Sequence, residues 1–137
     1  MGRLRMEIVT PDRVVLATEA DYVSLPGTEG EFGVLPDHIP FFAALKIGCL
    51  HFEIDGKTKY ASIGGGFAEI ADNRVQLLVD SGELAEEVDA PRADSALRRA
   101  EERLNAARGQ YDNAINVHRA ELALQRALTR LQASKLR

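Results

Sequence analysis

Up to about Val88 the apolar positions of this chain alternate with polar ones or gather in short β-branched runs, and beyond it they recur every three or four residues. A period of two is that of a strand with one buried face, and a period near 3.6 that of an amphipathic helix. The change of period divides the chain into a β module over residues 1–88 and a helical module over residues 89–137.

In the first module Met6-Glu7-Ile8 opens a series of predicted strands. It continues at Arg13–Ala17, Asp21–Leu25, Phe32–Leu35, Ala44–Ile47, Leu50–Ile54, Thr58–Ile63, Gly66–Ile70 and Val75–Val79. Asp55-Gly56 and Asp72-Asn73 tolerate positive φ and mark turns, the first of them the clearest hairpin. So many short strands in so little chain predict a β-sandwich or flattened antiparallel barrel. Its core is expected from Ile8, Val23, Leu25, Phe52, Ile54, Leu77 and Val79.

In the second module Asp89 suits an N-cap, and Pro91 in the first turn gives up an amide that has no helical partner there. Leu97, Ala100, Leu104 and Ala107 form the stripe of a first helix that Gly109 ends. Asp112 suits the cap of a second helix, with the stripe Val117, Ala120, Leu124, Ala127, Leu128 and Leu131. The short link makes the two an antiparallel hairpin, so the fold class is α+β. A few leucines cannot offset the ordering of so many residues, and the hairpin is expected to dock on the β module, on a partner or around a ligand.

Composition adds a charge asymmetry. Residues 1–88 hold fifteen acids and seven bases, net −8, and residues 89–137 hold six acids and ten bases, net +4, together the chain's −4. The modules should therefore face different partners, the second anionic. The opening MGRLRMEIVTPD lacks the apolar middle of a secretory signal, and no run nears the roughly eighteen apolar residues of a membrane span, so a cytoplasmic address is expected. With Cys49 alone, neither an internal disulfide nor a thiolate metal cage can form.

Enzyme signatures are sparse. His38, His51 and His118 fall in a turn, a strand and a helix without metal-ligand spacing, and no serine or cysteine occupies a nucleophile elbow. Gly64-Gly65-Gly66 is followed by a strand pattern and no GK[ST], which favours a close backbone approach or bulge over a phosphate loop. Two other features stand out. The segment from Gly27 to His38 mixes glycines, carboxylates and apolar residues, and fits a turn with solvated acids or a loop facing a partner. Arg92 and Arg99 lie seven apart on the first helix, and Arg119, Arg126 and Arg130 share a face of the second. These rows either converge on an anion or remain solvated, with their stems covering the seam.

Taken in order, Val9-Thr10-Pro11, GTEGEFGVLPDHIP, IGGGFAEI, Val88-Asp89-Ala90-Pro91-Arg92-Ala93 and RAELALQRALTRL give the chain a resemblance to the ε subunit of bacterial F-type ATP synthases over nearly its whole length. The resemblance implies a non-catalytic rotor subunit on the central stalk. Its sandwich would bind the γ subunit and the c-subunit ring, with Glu31 and His38 at the ring contact. Its hairpin would reach toward the α and β subunits and restrain ATP hydrolysis. The chain would sit at the cytoplasmic face of the bacterial inner membrane, held there only through the complex.

Some members of that family bind ATP on the folded hairpin through a motif I/L-D-x-x-R-A, which reads here with valine in first place. The resemblance implies regulatory ATP contacts at Glu83, Val88, Asp89, Arg92, Ala93, Arg99, Arg126 and Arg130, with no cofactor required and no metal. Asp89 and Arg92 equally suit a purely structural role, capping and pairing at the helix start. Two other classes compete with this reading. A nucleic-acid module would use the arginines, but Tyr111 is the only aromatic of the helical half and the acidic half would repel phosphates. A small hydrolase lacks any pairing of nucleophile and base.

Overall fold

A computed structural model of the chain describes residues 3–109 and 114–136. Eight strands come first: β1 Leu4–Val9, β2 Val14–Ala20, β3 Tyr22–Gly27, β4 Gly30–Val34, β5 Phe41–Ile54, β6 Lys57–Ala71, β7 Arg74–Val79 and β8 Gly82–Leu84. A single 3₁₀ turn, Ala85–Glu87, leads to helices α1 Ala90–Arg108 and α2 Ala114–Leu136. Both predicted turns form with the expected backbone: Asp55 and Gly56 have φ of 53° and 76°, and Asp72 and Asn73 of 51° and 59°. Paired positive φ values match the twist of the flanking strands.

The strands follow the path β2-β1-β7-β6-β5-β3-β4, with β8 on β6. One buried cluster draws side chains from β1 through β7, including Leu4, Met6, Ile8, Leu25, Phe52 and Leu77, so the sheet folds over a single core as a sandwich. All the predicted core residues lie in or against that cluster. Every pairing is antiparallel except β1 with β7, which runs parallel from Arg5↔Arg74 to Val9↔Leu78. Such a pair needs a long connection, and here the intervening strands supply it.

Four predicted strands prove to be two. Ala44–Ile47 and Leu50–Ile54 are one strand, β5, and Thr58–Ile63 and Gly66–Ile70 are one strand, β6. Gly48 lies inside β5, paired opposite Ile63, and the glycines of β6 mark a change of partner, not an end. β6 pairs β8 through Ala61–Ile63 and then β7 through Gly66–Ala71, and the exchange falls at Gly64-Gly65. There Gly64 N–H donates to the Ser81 carbonyl at 2.8 Å, and Asp80 N–H to the Gly65 carbonyl at 2.9 Å. A Cβ on Gly66, where φ is +150°, would overlap the Leu78 carbonyl oxygen. The triple glycine is thus the close backbone approach that its sequence context favours.

The hairpin lies folded on the sandwich, with α2 against β5, β6 and the 3₁₀ turn. Its contact is poorer in leucine than its stripe predicts. Among the described residues, the buried helix positions are mostly alanines (Ala93, Ala100, Ala107, Ala120, Ala127, Ala133), with Leu104, Thr129 and Ser134. Leu97, Leu124 and Leu131 are half-buried. Leu128, predicted in the seam, is 48% exposed, because the face of α2 pressed on the sandwich is the one carrying Thr129 and Ala133. Asp112, predicted as the second cap, and Tyr111 lie outside the described residues.

Candidate functional site

The root of the hairpin is fixed by local chemistry. Val88 is buried, Asp89 accepts a hydrogen bond from the Arg92 amide at 3.1 Å, and Ala93, fully buried, donates its amide to the Asp89 carbonyl at 2.9 Å. This is an N-cap with proline in the first turn. The Asp-x-x-Arg-Ala residues therefore have a structural task here, and the Arg92 side chain is exposed.

Past this root the two helices and the sandwich enclose a cleft of about 450 Å³. Glu83 comes from β8, Arg99 and Arg103 from α1, Arg126 and Arg130 from α2, and the Gly64 and Ser81 region closes one side. Each arginine pair is four residues apart, hence one above the other on its helix. The helix walls between them are Ala96, Ala100, Ala123 and Ala127, whose small side chains leave the space. Arg130 Nε donates to Glu83 Oε1 at 2.9 Å, with the two side chains 35% and 27% exposed. Four arginines thus face one carboxylate, an excess of three positive charges in a partly enclosed groove. Such a donor set suits phosphate or carboxylate oxygens, since hydrogen bonds between ionised partners are roughly twice as strong as neutral ones.

Of the predicted ATP contacts, the structure brings Glu83, Arg99, Arg126 and Arg130 together in this cleft. Val88, Asp89, Arg92 and Ala93 are not among its lining residues. Arg119 lines a separate groove further along the helices. Arg103 was missed, although its place four residues after Arg99 was a readable signal.

Glu31 and His38 sit on the other unusual segment. Glu31, on β4 opposite Pro26, accepts a hydrogen bond from Ser24 Oγ at 2.5 Å. His38 belongs to the turn after β4, where its amide meets the Leu35 carbonyl at 3.2 Å and Nδ1 lies 2.7 Å from the Ile39 carbonyl oxygen. Phe41 packs on both the His38 ring and Phe32, at centroid separations of 6.3 and 5.5 Å. An apolar surface borders this end, with Leu35, Ile39, Phe42, Phe67 and Leu78 each at least 49% exposed. Phe42 and Phe67 stack at 5.6 Å. Sequence reasoning passed over it, although the adjacent Phe41 and Phe42 in one strand cannot both face a core.

Comparison with known proteins agrees with this layout. Residues 3–85 match the family described as ATP synthase, Delta/Epsilon chain, beta-sandwich domain, and residues 86–135 its long alpha-helix domain. An ATP synthase epsilon chain of Nitratidesulfovibrio vulgaris is 52% identical over 111 residues, covering 81% of this chain and 83% of that one. Another, from Pelotomaculum thermopropionicum, is 51% identical over 100 residues, covering 73% and 75%. Among solved structures, a chain of the Euglena gracilis mitochondrial ATP synthase superposes with a TM-score of 0.77 at 24% identity, covering 98% of this chain and 82% of that one; it shares the fold. With both of its modules matched in order and relatives half identical to it, the chain belongs to the ATP synthase delta/epsilon chain family.

Proposed function

We propose that this chain is a non-catalytic central-stalk subunit of an F-type ATP synthase, coupling ion flow through the membrane ring to ATP synthesis. Its sandwich, residues 1–88, grips the γ subunit and the c ring, with Glu31 and His38 at the ring end beside the exposed Phe42 and Phe67. Its hairpin, residues 89–137, is an arm that leaves the sandwich, reaches the α and β subunits and restrains ATP hydrolysis. No helix among the described residues is long and apolar enough to cross a membrane, in keeping with peripheral attachment through the complex. The observation that carries the movable arm is its seating, a contact mostly of small side chains with, among the described residues, one ion pair, Glu83–Arg130, reaching from the arm to β8. A contact so poor in buried apolar volume separates at modest cost.

ATP is the regulatory ligand of the folded arm. Arg99, Arg126 and Arg130 take the phosphates within the cleft, and the segment around Val88, Asp89, Arg92 and Ala93 acts through the hairpin root. A ligand that binds only the folded arm stabilises it by RT ln(1 + [L]/Kd), about 2.7 kcal/mol at a hundredfold excess over Kd. That is enough to shift a weakly seated hairpin strongly. Two measurements separate the parts of this reading. Cutting the chain after Val88 should raise ATPase activity of the assembled enzyme, and unchanged hydrolysis under every nucleotide and proton-gradient condition removes the inhibitory role. Calorimetry of the full chain should give ATP binding that Arg126→Ala weakens by about tenfold or more. No heat in calorimetry removes the sensor and leaves the rotor role intact.

A further inference from the structure

A second cavity, of about 340 Å³, opens on the sandwich away from the arginines, between β2, β5, the start of β6 and the segment leading to the hairpin. Its floor is apolar: Leu16, Phe52, Ile54, Leu84 and Ala85. Phe52 and Ala85 are buried, whereas Leu16, Ile54 and Leu84 are three of the four partly buried side chains that pack on the core from outside. Three of the side chains that cover the core only in part therefore meet in this cavity. The remaining lining is polar, with Thr18, Thr58, Lys59 and Tyr60. Lys59 carries no ion pair among the described residues. Glu86 also lines the cavity and already has an interaction of its own.

We infer that this cavity binds a small amphiphile with an anionic head, a medium-chain fatty carboxylate, its tail over Leu16, Ile54 and Leu84 and its carboxylate on Lys59. Concave apolar sites with a few convergent polar groups are where small ligands bind, and this one offers a lysine with no ion pair among the described residues and the hydroxyls of Thr18, Thr58 and Tyr60 beside an apolar trough. The Glu86 carboxylate repels an anionic head and so orients the ligand toward Lys59. No residue of the arginine cleft takes part.

The test uses the full chain, titrated by NMR with hexanoate, octanoate and decanoate, each below its micelle-forming concentration. Shifts should concentrate on Leu16, Ile54, Lys59 and Leu84, and affinity should rise about fourfold per added methylene until the trough is full. Lys59→Gln, an exposed change that leaves the core intact, should weaken octanoate about fivefold and leave the neutral 1-octanol unaffected. Three results overturn the proposal: no shift with any carboxylate, shifts led by the exposed Phe42 and Phe67 surface, or octanol bound as tightly as octanoate by the unaltered chain.

Discussion

Asp89 and Cys49 show how single side chains tie the hairpin to the sandwich. Asp89 supplies the oxygen that satisfies the Arg92 amide, and Asp89→Ala should cost the folded chain about 1 kcal/mol, read as a lower denaturant midpoint and faster amide exchange in the first turn of α1. Cys49 Sγ lies 3.4 Å from the Thr129 carbonyl oxygen, where burial against α2 pushes the thiol pKa up. Alkylation follows the thiolate, so its rate in the folded chain should rise at higher pH than in the same chain in urea. The sign for stability follows: the folded state keeps the proton longer, so this contribution holds below the unfolded thiol's ordinary value and fades as pH rises through the folded one. A folded-chain profile lying on the urea profile would show that α2 does not cover Cys49. The Asp89 cap was legible because capping is local chemistry. The Thr129 contact was not, since it joins residues eighty apart in sequence through a backbone oxygen that no side-chain pattern announces.

The glycines that bend β6 act at the scale of elements. Gly65 and Gly66 both have positive φ, but a Cβ on Gly65 would meet its nearest atom, the Leu45 carbonyl oxygen, at 3.5 Å, while one on Gly66 would overlap the neighbouring β7 backbone. Gly65→Ala should then cost only the backbone strain, of order 1 kcal/mol. Gly66→Ala should cost several kcal/mol or unfold the sandwich, because β7 must move to admit the methyl group. Melting temperatures of the two variants check the order, and equal losses would mean that the close approach of β6 and β7 does not exist. Two strands were split wrongly in the sequence reading for the same reason. A glycine looks alike whether a strand ends at it or continues through it, and only the pairing decides: β6 passes from β8 to β7 at its glycines, while β5 runs on through Gly48. The Leu128 error has a related origin: α2 has apolar residues on more than one side, and periodicity alone could not say which side meets β5. At the arginine cleft, spacing found the helix rows but not the alanine walls that make them a cavity.

For the whole molecule, the distribution of buried side chains separates the two modules energetically. The central hydrophobic cluster is built entirely from strand residues of β1 to β7, with no helix residue in it. Removing the hairpin therefore exposes Cys49 and the outer face of β5 and β6 but leaves that cluster filled. The hairpin shows no equivalent among the described residues, where its buried positions are alanines, one leucine and two hydroxyl residues. In proteins most helix stability comes from packing an amphipathic face, and this hairpin packs little apolar volume of its own. Residues 1–88 alone should keep native strand signals and a cooperative melt, while residues 89–137 alone should show little helix by circular dichroism at low concentration. A stably helical isolated hairpin would mean that helix–helix contact outweighs docking, and the arm would then leave the sandwich as a rigid body. If it is unfolded alone, departure must be coupled to capture by a partner. That condition would make the acidic partner surface expected from the +4 charge of residues 89–137 a requirement for arm movement.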